Sequence, residues 1–99
     1  MAEDKNPADN CRWTPLHEAA IKGHLDIFKL IFDRIAIKNP ADNFGYTPLH
    51  FAAQIGHLDT CKLIIDNVDD KHPIAIGGST PKALAEVCRH FQVSKLFES

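Results

Sequence analysis

Apolar residues fall at Leu25, Phe28, Ile31, Phe32 and Ile35, and again, 33 positions later, at Leu58, Cys61, Ile64, Ile65 and Val68. Steps of three and four residues put each set on one face of a helix. These helices are predicted to begin near His24 and His57, and a third near His90. Asp26 and Asp59 then lie in the first turn, where the helix dipole favours negative charge. A shorter helix precedes each one, over about 14–21, 47–54 and 80–88. Thr14, Thr47 and Thr80 are its N-caps, with hydroxyls able to accept from unpaired amides. Pro15, Pro48 and Pro81 follow at the first helical position, where a missing N–H costs nothing. Gly23 and Gly56 break the first two of these helices. Segments this short do not persist alone, and the small pairs Ala19-Ala20 and Ala52-Ala53 allow close approach. The apolar faces must therefore be buried by stacking.

The pattern is an internal repeat. Thr-Pro recurs at 14, 47 and 80, and Lys-Asn-Pro-Ala-Asp-Asn at 5–10 recurs at 38–43. Gly-His-Leu-Asp at 23–26 recurs at 56–59. Aligning 5–37 with 38–70 gives 20 identities in 33 positions, too many in one register for chance. A third, more divergent copy keeps Lys71, Pro73, Thr80, Pro81, Ala85, His90, Lys95 and Leu96 in place. The 99 residues are thus read as a single domain of three units, about 5–37, 38–70 and 71–99, with no linker.

The 33-residue period, the Thr-Pro-Leu-His-x-Ala-Ala run of the first two units and the Gly-His-Leu-Asp run resemble the ankyrin repeat. The resemblance covers essentially the whole chain. It implies an all-α solenoid of stacked antiparallel helix pairs with hairpin-like loops along one side. It also implies a protein–protein interaction module without catalysis. His17 and His50 are implied to bond the Thr hydroxyls and tie one loop to the next. Several residues depart from the family pattern. Arg12 stands where the other units have Gly45 and Gly78. Ile35 and Val68 stand where glycine usually ends the second helix, so Asn67 is expected to make a left-handed exit. Lys82 and Ala83 replace the Leu-His of the first two units, and Ser94 replaces Phe28 and Cys61, as in a C-terminal cap. Met1–Asp4 align with Asn67–Asp70, the tail of a second helix, which suggests a fragment of a longer array. Asn6 and Asn39 occupy the hairpin position that resembles the asparagine hydroxylated in many ankyrin proteins; the competing role for each amide is to brace its turn.

Composition narrows the function classes. The formal charge is −2 and no third of the chain is basic, so there is no electrostatic footprint for nucleic acid. Apolar runs are far too short for a membrane span, and Met1-Ala2-Glu3-Asp4-Lys5 does not open a secretory signal. Three cysteines, Cys11, Cys61 and Cys88, fit reduced thiols in a cytoplasmic or nuclear setting. The chain is expected to be a monomer with no cofactor, no metal and no active site.

The candidate chemistry mostly dissolves into the repeat. Of six histidines, only His72 lies off the repeat positions, and stacked helices about 10 Å apart cannot share an ion between equivalent residues. Cys61 takes the place of Phe28 and is read as a buried small hydrophobe. Cys11, at a loop tip, is a candidate for oxidation and no sign of catalysis. Gly77-Gly78-Ser79-Thr80-Pro81-Lys82 has glycines before a helix, but lacks the spacing and the strand of a phosphate loop. The loop tips Asn10-Cys11-Arg12-Trp13, Asn43-Phe44-Gly45-Tyr46 and Ile76-Gly77-Gly78-Ser79 align along one edge. Asn10, Cys11, Trp13, Asn43, Phe44 and Tyr46 are therefore the candidate partner contacts, with Ile21, Lys22, Gln54 and Ile55 on the concave helix face; the competing role for Trp13, Phe44 and Tyr46 is to fold over their own loops and pack locally. Other readings of the same pattern are a regulatory or scaffold part of a larger enzyme or channel, and a trimmed or engineered repeat scaffold.

Overall fold

The computed structural model describes residues 12–98. Six α-helices and no strand occur among them: α1 (Pro15–Lys22), α2 (Leu25–Phe32), α3 (Pro48–Ile55), α4 (Leu58–Asn67), α5 (Pro81–Val87) and α6 (Phe91–Lys95). A one-turn 3-10 helix at Ile76–Gly78 precedes α5. Helices pair within each unit, α1 with α2, α3 with α4 and α5 with α6. The first helices α1, α3 and α5 stack on one another, and so do the second helices α2, α4 and α6.

Each first helix starts by the same device. Thr14 and Thr47 are extended N-caps, and each side-chain hydroxyl accepts from the backbone N–H of the histidine three residues on, at 3.3 Å. In return, Nδ1 of His17 accepts from the Thr14 N–H at 3.1 Å, and Nδ1 of His50 from the Thr47 N–H at 3.0 Å. This is a reciprocal capping box with histidine in the place usually taken by Glu or Gln. Thr80 caps α5 through the Ala83 N–H at 3.1 Å, so the third unit retains half of the device. Gly23 and Gly56 end α1 and α3 in left-handed conformation, with N–H groups bonded back to Ala19 and Ala52.

The core is one continuous cluster. Leu16, Ala20, Phe28, Leu49, Ala52, Ala53, Cys61, Ile64 and Ala85 are fully buried. The alanines lie where first helices pack closely, as their small volume requires. Phe28 and Phe32 stack at 5.5 Å between ring centroids in the first unit.

The second helices do not leave through a left-handed residue. Asn67 remains inside α4, where its Nδ2 donates to the Leu63 carbonyl at 2.8 Å. Val68 is extended, with φ −124°. The expected left-handed turn at Asn67 is therefore corrected: Asn67 stays helical with its amide bonded back to the carbonyl four residues earlier, and an extended residue follows. At the end of α2 the carbonyl of Phe32, the last helical residue, accepts from Nζ of Lys38, which also lies 4.7 Å from the Phe32 ring centroid. The Phe32 carbonyl is one of the terminal acceptors that the helix itself leaves unpaired, and the Lys38 ammonium satisfies it.

Candidate interaction surface

The loops that connect the units are ordered by short-range bonds. In the second unit Oδ1 of the buried Asp42 accepts from the N–H groups of Phe44 and Tyr46, each at 2.9 Å. The Asp42 N–H donates to the Tyr46 carbonyl at 2.8 Å, and the Gly45 N–H to the Asp42 carbonyl at 3.0 Å. The third loop repeats the backbone bonds from Ala75 to Ser79 and from Gly78 to Ala75 without the carboxylate. Gly45 and Gly78 have φ of 86° and 85°, and Arg12 has φ 65° at the equivalent place. The tip of every unit therefore bends through a left-handed residue, and the first does so with a Cβ present.

Histidines join adjacent loops. Nε2 of His17 lies 2.9 Å from the Tyr46 carbonyl, and Nε2 of His50 lies 3.0 Å from the Ser79 carbonyl. Each Nδ1 already accepts a threonine N–H, so each ring is the neutral form with its proton on Nε2, donating to the next loop. Burial pushes both histidines below the ordinary value of 6.5; the carbonyl bonds and the Asp42 carboxylate oppose it without reversing the direction. The bridging role implied by the Thr-Pro-Leu-His run is realised in both units.

The candidate contact residues fall into distinct groups. Trp13 is half-buried. Its ring stacks on His17 at 4.8 Å and meets Phe51 edge-on at 5.2 Å, and its Nε1 donates to Oε1 of Glu18 at 3.0 Å. That bond holds the Glu18 carboxyl below its ordinary value, with Lys22 contributing from 3.5 Å. Tyr46 is also half-buried, 5.3 Å from His50 and 5.7 Å from Phe51. These two rings, with Phe51, lock the bridging histidines in place, so packing, the alternative to partner contact, describes them both. Phe44, by contrast, is 51% exposed, and Asn43 is exposed beside it. Lys22 and Gln54 are exposed, Ile55 is 40% exposed and Ile21 is half-buried. Asn10, Cys11 and Asn6 lie outside the described residues. Oδ1 of Asn39 accepts from the Leu49 N–H at 3.2 Å, bracing the start of α3.

Two exposed apolar residues that are not among those candidate contacts extend this surface. Ile76, 62% exposed, donates its N–H to the Phe44 carbonyl at 2.8 Å, so the second and third loop tips are tied directly. Val87, 79% exposed, takes on α5 the position that Ile21 and Gln54 take on α1 and α3. Repeat register alone would have found both.

A model of the family described as "Ankyrin repeats (3 copies)" matches residues 1–96. The chain belongs to the ankyrin-repeat family. Members are generally protein-interaction modules and are typically non-catalytic. No curated protein matches the chain. Among the described residues, no group of three or more His, Cys, Asp or Glu side chains is placed to hold a metal ion. Within the same residues, no helix is long and apolar enough to cross a membrane. Cys61 is buried in this ankyrin core and its thiol is pushed up to about 12, the character of an inert packing residue, whereas Cys88 is exposed.

Proposed function

We propose that this ankyrin-repeat chain binds a protein partner along its loop-tip edge and the adjoining concave helix face. The observation that carries the reading is the apolar row of Phe44 and Ile76, exposed on two loop tips that are tied backbone to backbone. Apolar side chains on a rigid frame lose little entropy when covered, which is what a binding anchor needs. Asn43, Lys22, Gln54 and Ile55 supply the polar rim and the remaining area. Trp13 and Tyr46 serve chiefly to fix the frame. The setting is cytoplasmic or nuclear, and the chain acts as a monomer. The test is affinity capture from native lysate with quantitative mass spectrometry. Phe44→Ser with Ile76→Ser should lose the captured protein tenfold or more, about 1.4 kcal/mol of binding. Lys29→Ala with Lys62→Ala, on the exposed side of the second helices, should retain it. Equal capture by a folded loop-tip variant would overturn the assignment of this edge.

A further inference from the structure

The two ends of the stack are built differently. Ile27 on α2 is 49% exposed and Leu30 is 60% exposed. The residues one and two periods after Ile27 are Thr60 and Val93, both buried, at 3% and 2% exposure. Leu63 and Leu96, equivalent to Leu30, are half-buried and packed on the core. These positions belong to the second helices, which touch from one unit to the next. His24 follows the same rule. Its equivalents His57 and His90 lie against Gly23 and Gly56 of the preceding unit, so close that a Cβ there would fall 2.4 Å and 2.7 Å from ring atoms. His24 itself is exposed. The opposite end carries Glu86, exposed, where Ala20 and Ala53 are fully buried. It also carries Arg89, at φ 64°, where the other units have glycine.

We propose that His24, Ile27 and Leu30 form a docking surface for a further ankyrin-type helix pair, joined in register ahead of the first unit, whose first helix ends at a left-handed glycine. The surface is continuous in register with the two inter-unit interfaces already formed, and it presents the residues those interfaces bury. A second copy of this chain does not supply the complementary end. Its last unit offers Glu86 and the Arg89 Cβ where a small residue and a glycine are required. This inference is independent of the loop-tip edge.

The experiment extends the full chain. A copy of residues 38–66 is joined ahead of Met1, so that Met1–Asp4 stand in the register of Asn67–Asp70. Thermal unfolding of the extended and original chains is compared, each with and without Ile27→Glu. The expected result is one cooperative transition with a midpoint several degrees higher in the extended chain. Ile27→Glu should remove most of that gain while hardly moving the original chain. Gly56→Arg in the added copy should remove it as well. Leu30→Gln, read by the same difference, replaces Ile27→Glu should the latter unfold the original chain. An extended chain that melts in two steps, or at an unchanged midpoint, overturns the proposal. So does concentration-dependent self-association of the original chain in sedimentation, abolished by Ile27→Glu, which would give the face to a second copy.

Discussion

The ring of His57 occupies the space that a Cβ on Gly23 would need, with Cε1 2.4 Å and Nε2 2.5 Å from that position. Gly23 is also left-handed, at φ 71°. One glycine thus answers two demands, a helix stop within its own unit and room for the histidine of the next. The recurring Gly-His pair therefore reads across the interface as well as along the chain. Gly23→Ala should destabilise by about 1–3 kcal/mol, combining left-handed strain with displacement of the ring. His57→Ala in the same chain should recover the steric part and leave the strain. Urea unfolding of the two single variants and the double variant measures this as non-additivity.

Arg89 holds the same left-handed geometry, φ 64°, with a full side chain. Strain at a non-glycine residue of about 1–2 kcal/mol is partly offset by the entropy a glycine loses on folding. Arg89→Gly should therefore stabilise by roughly 0.5–1 kcal/mol, seen as a higher urea midpoint at unchanged slope. A lower midpoint would show that the Arg89 side chain makes contacts that outweigh its backbone strain.

Acid should loosen the loop-to-loop bridges. His17 and His50 are held below the ordinary 6.5, chiefly by burial. The unfolded chain therefore binds protons more readily than the folded one once the pH falls below 6.5. Their contribution is complete above that value and is lost as the pH falls from 6.5 towards their depressed folded values. Protonation at Nδ1 would also set an N–H against the Thr14 or Thr47 N–H. Urea midpoints should fall between pH 7.5 and pH 5. A chain with both His17→Gln and His50→Gln should be weaker at pH 7.5 and should show a smaller fall.

Loop-tip aromatics should divide by what they touch. Trp13→Ala removes a stacked ring, an edge contact and an indole hydrogen bond, and should lower stability by about 1–3 kcal/mol. Phe44→Ala removes a ring that is about half exposed and should leave the melting temperature nearly unchanged. Circular dichroism melts of the two variants check the contrast. The opposite order would mean that Phe44, not Trp13, secures the frame.

The period, the caps at Thr14, Thr47 and Thr80, the stops at Gly23 and Gly56 and the bridging histidines were legible in the sequence. Each depends on a bond or a backbone angle set within a few residues, or on a motif repeated in register. The fate of Asn67 was not legible, because an amide that donates to its own helix competes with a left-handed turn, and the local sequence permits both. Nor was the division between Trp13 and Phe44. Both stand at loop tips, but Trp13 meets Phe51, whose helix belongs to the next unit, so only the stacking of units decides which ring is covered. The same holds for Ile27 and Leu30. They stand off the helix face formed by Leu25, Phe28, Ile31, Phe32 and Ile35, and whether they are covered depends on what lies one repeat before them, which is a property of the assembled stack.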